Sequence, residues 1–143
     1  MQQTVAPMIS YEDAGAASAW LVEAFGFKET SRVVMPDGRV GHAELESEAG
    51  GLVMLAEPTP AYRGPTRHAE TCADAAAWLE VPYVIDGVHV YVPDLDAHFA
   101  RAVAAGATIL AEPTETSFGR IYRAADPEGH RWFFEAMPAD GEA

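Results

Sequence analysis

The chain has 143 residues, 49% of them apolar, with 22 acidic against 9 basic side chains, so its formal charge is −13. That size suits one domain or two small repeats sharing a fold, and the apolar content excludes whole-chain disorder. The acidity argues against a nucleic-acid backbone or an anionic membrane as partner, and it permits a cationic small-molecule ligand.

Val5 to Tyr11 reads as a short strand. Ala17, Trp20, Leu21 and Ala24 then fall at helical spacing, with Asp13 placed as N-cap and Gly26 as the stop. Three strands are predicted next: Lys28 to Met35, ending in a Pro-Asp-Gly turn; Val40 to Glu46, which alternates; and Leu52 to Glu57, which ends at Pro58. The order recurs from Val88. Val88 to Val92 is a strand. Asp94 opens a helix with Leu95, Phe99, Ala102 and Val103 on its apolar stripe and Gly106 as its stop. Ala107 to Ala111, Arg120 to Ala125 and Trp132 to Met137 read as strands. Landmarks coincide between the halves: Asp13 with Asp94 and Gly38-Arg39 with Gly119-Arg120 at an offset of 81, Gly26 with Gly106 and Pro58 with Pro138 at 80. The result is βαβββ twice, an α+β domain with repeat one at 5–58 and repeat two at 87–138. Residues 59–86 form an insert with a predicted helix from Ala69 to Glu80. Its Tyr62, Arg63, Trp78 and Tyr83 are candidates for a lid or a dimer contact. Cys72 is the sole cysteine, so neither an intrachain disulfide nor a cysteine-based zinc cluster is possible. Met1 to Ile9 lacks the basic flank and apolar run of a signal peptide, and no run reaches a membrane span's length, so a soluble cytoplasmic protein is expected.

The duplicated order and the string Asp126-Pro-Glu-Gly-His-Arg-Trp132 resemble the vicinal-oxygen-chelate superfamily. Glyoxalase I, extradiol dioxygenases, fosfomycin-resistance enzymes and bleomycin-binding proteins belong to it. Val88 to Asp96 and Arg101 to Gly106 resemble its second-repeat strand and helix. Pro7 to Asp13 with Ala24 to Phe27 is similar to its PhnB-like branch. The resemblance implies eight mixed strands in one cupped sheet around a cavity, and a homodimer, because relatives often build cavities from two chains. In metal-dependent relatives, ligands come from the first and last strands of each repeat. Those positions here are Ala6, Gly87, Phe133 and a place near Met54, none of which offers an oxygen or imidazole donor. The usual metal site is therefore expected to be absent, and no cofactor is expected.

Counting in steps of two from those implied positions, strand periodicity adds Met8, His89, Tyr91, Glu135 and Met137 to their face. The resemblance implies that Arg123 also faces inward, with His42 its equivalent at an offset of 81 and Glu44 on the same face as His42. Met8, Met54, Tyr91, Phe133 and Met137 would line the cavity, and His42, Glu44, His89, Arg123 and Glu135 would supply its polar groups. His98, His68 and His130 read as surface residues. Two functions fit. One is a metal-independent protein that sequesters a drug or metabolite. The other is a glyoxalase-like lyase or isomerase, or a dioxygenase-type enzyme. There His89 would act as general base, Glu135 would hold its tautomer, and Arg123 would stabilise a developing negative charge. A variant of the second has a zinc or iron ion shifted onto His89, Glu135 and His42 or Glu44.

Overall fold

The protein is described by a computed structural model, in which residues 3–81 and 85–138 are described. The elements are β1 (Met8–Ser10), α1 (Ala14–Phe25), β2 (Lys28–Val34), β3 (Val40–Glu46), β4 (Leu52–Ala56), α2 (Pro65–Thr71), α3 (Ala73–Leu79), β5 (Gly87–Val92), α4 (Leu95–Ala104), β6 (Thr108–Thr116), β7 (Gly119–Ala125) and β8 (Arg131–Ala136). Two βαβββ modules are present, as the repeat arithmetic requires. Their eight strands fall into two four-stranded sheets, ordered β1-β4-β3-β2 and β5-β8-β7-β6. In each, the first strand runs parallel to the last and the other pairs are antiparallel.

Alternation sets which face of each sheet is covered. Ala43, Leu45, Val53 and Leu55 point one way in the first sheet, and Tyr122, Ala124, Trp132 and Phe134 point one way in the second; all are buried. Helices α1 and α4 pack on those faces and on each other. The intervening residues face away from the helices. Each fully buried leucine, such as Leu21, Leu45 or Leu55, contributes about 1.5–3 kcal/mol. The helix starts are as predicted: Asp13 accepts from the Ala16 amide at 2.9 Å and Asp94 from the Ala97 amide at 3.1 Å.

The second module holds α1 at both ends. Glu128 accepts from the amides of Glu12 (2.7 Å) and Asp13 (3.1 Å) at its start. Arg101 donates to the carbonyls of Glu23 (2.7 Å) and Val22 (3.1 Å) at its end. Both charges complement the helix dipole. Tyr11 Oη donates to the buried Asp126 at 2.5 Å, and Trp132 Nε1 donates to the same carboxylate at 3.0 Å. Asp126 also accepts from the Glu128 and His130 amides, so its burial is matched by four donors.

Five expectations change. The insert holds two short helices instead of one, because Cys72 is extended (φ −140°, ψ 114°) and breaks the run. β6 reaches Thr116, five residues beyond the expected end, with register shifts around Pro113, which cannot donate to the ladder. Val103 is exposed, and His98 takes its place on the buried side of α4 with Leu95 and Ala102. His98 is 8% exposed: its Nε2–H donates to the Phe25 carbonyl at 2.9 Å, and its Nδ1 accepts from Tyr122 Oη at 2.5 Å. Burial pushes its pKa below the usual 6.5. His130 is not a surface residue either. It is half-buried, its Nε2–H donates to the Ser10 carbonyl at 2.7 Å, and desolvation lowers its pKa. Only His68 of the three is exposed.

Candidate functional site

The helix-free faces of the two sheets carry all ten residues expected at the cavity. Register shows how they meet. On the first sheet Met8 pairs with Met54, and Glu44 pairs with Met54 from the other side. His42 Nε2 lies 3.8 Å from Glu44 Oε2, with both side chains about 30% exposed. On the second sheet His89 pairs with Phe133, Tyr91 with Glu135, and Arg123 with Phe133. Met137 follows β8 and is exposed. The edge strands β1 and β5 flank a cleft of about 250 Å³, where Pro7, Leu52 and Phe27 face His89 and Tyr91.

Two contacts define the second face. His89 Nε2–H donates to Glu135 Oε1 at 2.9 Å; the carboxylate side chain is 9% exposed and the imidazole 44%. With Nε2–H held there, Nδ1 keeps its lone pair and can accept a proton from a ligand. The Arg123 guanidinium lies over the Phe133 ring, 5.6 Å from its centroid. Among the described residues Arg123 has no ion pair, so neither Glu44 nor Glu135 neutralises it. Glu44 and Glu135 each stand beside a histidine, and neither reaches Arg123.

Phe133 decides what the family's metal position looks like. A Cβ added at Gly87 would lie 2.0 Å from Phe133 Cε2. The ring therefore fills the space in which a side chain at position 87 would sit, and Phe133 itself is the residue at the position where the resemblance implies a ligand on β8. Among the described residues no group of three His, Cys, Asp or Glu side chains is placed to hold a metal ion. His42 and Glu44 lie on the other sheet from His89 and Glu135. These residues do not fit the family's metal.

The insert covers one end of this surface. Gly64 N–H and Arg67 Nη1 donate to Glu12 (3.0 and 2.8 Å), and Thr66 N–H donates to the Glu128 carbonyl at 3.0 Å. Gly129 permits that approach: its φ is +96°, and a Cβ would meet the Thr66 Oγ1 at 2.5 Å. Tyr62 and Trp78 line a cavity with His68, and Arg63 folds back on the carbonyls of Pro60 and Tyr62. Burial and nearby carboxylates push the Tyr62 phenol up to about 12. Tyr83, the fourth lid candidate, lies outside the described residues. At the far end of the insert the Leu79 carbonyl accepts from Arg131 Nη2 at 2.6 Å. The sequence reading passed over Arg131; its place on the face of Phe133 and Glu135, by alternation along β8, was the available signal.

A profile of the Glyoxalase/Bleomycin resistance protein/Dioxygenase superfamily matches residues 4–134. The chain belongs to this superfamily. It is 34% identical over 133 residues to an uncharacterized protein of Mycobacterium bovis, covering 92% of this chain and 82% of that one. An uncharacterized protein of Mycobacterium tuberculosis H37Rv matches at the same identity, with 73% of its length covered. TioX from Micromonospora sp. ML1 is similar in structure, with a TM-score of 0.69, 32% identity, and 94% and 98% of the two chains covered. TnmS3, an antibiotic-binding protein from Streptomyces sp. CB03234, shares the fold at a TM-score of 0.63 and 18% identity, covering 96% and 99%. No helix among the described residues is long and apolar enough to cross a membrane.

Proposed function

We propose that this superfamily member binds a small organic molecule on the helix-free face of its sheets, without a metal, as a homodimer. The Phe133 ring over Gly87 carries the reading: it puts a flat apolar surface, backed by Arg123, where metal-dependent relatives hold their ion. Tyr91, Met8 and Met137 extend that apolar surface and are exposed in the single chain. Exposed aromatic and methionine side chains suit a ligand with a flat ring system. A cationic group on such a ligand would find its place beside Glu44. The antibiotic-binding neighbour supports a sequestering role by its fold. Val33 and Val34 on the outer strand β2, both exposed, support closure by a second copy.

Native mass spectrometry with elemental analysis tests this. The expected result is a dimer without stoichiometric Zn, Fe, Mn or Ni, and no thermal stabilisation on adding them. A stoichiometric metal with stabilisation refutes it. The 2.9 Å bond between His89 and Glu135 favours a second reading, a metal-free lyase or isomerase with His89 as base. His89→Gln would then abolish turnover while leaving ligand affinity within about threefold.

A further inference from the structure

A cavity of about 510 Å³ lies between β1, the starts of β5 and β8, and the loop into α2. Met8, Ser10, Pro65, Ile85, Val88 and Arg131 line it. Arg131 is 3% exposed. One of its nitrogens reaches the Leu79 carbonyl, while Nε and Nη1 are buried and have no acceptor among the described residues. Among the described residues it has no ion pair; Asp86 lines the same cavity but does not reach it. Burial lowers its pKa, yet a guanidinium keeps its proton.

A buried cation with unmatched N–H groups is costly, and an apolar side chain would fill the site more cheaply. Packing alone gives no reason for arginine here. The room beside it is large enough for a small molecule, and Met8, Pro65, Ile85 and Val88 make most of the wall apolar. The complement of such a place is an anion attached to an apolar body. We infer that the cavity is a subsite for an organic carboxylate, its anionic group on the free N–H groups of Arg131 and its apolar part against Met8, Ile85 and Val88. This rests on the small-molecule reading above and names the ligand's class.

Naphthoate, its neutral isostere naphthamide and inorganic phosphate are the probes, titrated by calorimetry and by the Arg131 Nε–H resonance in a heteronuclear correlation spectrum. Naphthoate should bind at least about tenfold more tightly than naphthamide or phosphate and should move that resonance. Arg131→Gln should weaken naphthoate about tenfold or more, and Ile85→Trp, which fills the cavity without touching the cation, should do the same. Asp86→Asn should tighten it, because a like charge leaves the wall. If Arg131→Gln does not fold, the wild-type resonance and the naphthamide comparison carry the test. Equal binding of naphthoate and naphthamide overturns the carboxylate assignment while leaving the small-molecule reading intact. Phosphate binding as tight as naphthoate overturns the apolar part. Binding that survives Arg131→Gln but is lost in Arg123→Met puts the anion elsewhere on the face and overturns the subsite. No binding of any probe up to about 10 mM overturns the subsite, whereas the small-molecule reading stands or falls by the dimer and metal measurements above.

Discussion

His98→Leu tests how the two modules are joined. The imidazole bridges the Phe25 carbonyl of the first module and Tyr122 of the second, and Tyr122 is fully buried. Leucine is close in volume but leaves a buried carbonyl and a buried hydroxyl unmatched. At about 1–3 kcal/mol for each, partly offset by added apolar burial, the loss should be about 2–5 kcal/mol. The pH dependence gives a second readout. Folded His98 has a depressed pKa, so its contribution is fully present above the usual 6.5 and is lost as pH falls through the folded value. Each such histidine adds a slope of up to about 1.4 kcal/mol per pH unit in that window. His130 is lowered for the same reason, so the wild type carries two such groups and the variant one. Glu128 acts oppositely: burial raises it above 4.5, so it adds stability as pH falls toward that value. Urea unfolding at fixed protein concentration, from about pH 8 to pH 5.5, measures both effects. A loss below about 0.5 kcal/mol, or an unchanged pH slope, would refute the bridging role.

Other outcomes follow from single contacts. Gly87→Ala should drive Phe133 off its place, since the new Cβ overlaps its ring at 2.0 Å; a crystal structure with Phe133 unmoved would contradict this. The same variant should lower thermal stability by about 1–3 kcal/mol equivalent. Tyr11→Phe removes one of four donors to buried Asp126 and should cost about 1.5–3 kcal/mol by denaturant unfolding; a neutral effect would mean that the remaining three donors suffice. Phe133→Ala should weaken any aromatic ligand of the open face by about tenfold in a binding titration, through lost stacking and the lost seat for Arg123. Burial holds up the phenols of Tyr11, Tyr62 and Tyr122, so these three should stay protonated in a native-state absorbance titration to about pH 11, and their ionisation there would contradict the burial.

Local chemistry determined much of this protein. Asp13 and Asp94 cap their helices because a short acceptor before an apolar helical stripe has few other uses, and Gly26 ends α1 at φ 73° where a side chain would be strained. Alternation put Met54, Glu44, His89, Phe133 and Glu135 away from the helices because strand geometry leaves no choice once the core side is known. The pairing of His89 with Glu135 was legible for the same reason. The rest depended on groups far away in the chain. His98 is buried by a carbonyl 73 positions earlier, so nothing near it in sequence distinguishes it from a surface histidine. The extended residue at Cys72 has no signal in the helical spacing around it, and Arg131 is buried with one nitrogen on a carbonyl 52 positions earlier in the insert. Spacing along a strand determines which way a side chain points; what meets it there, and whether its charge is answered, only the packing of distant elements decides.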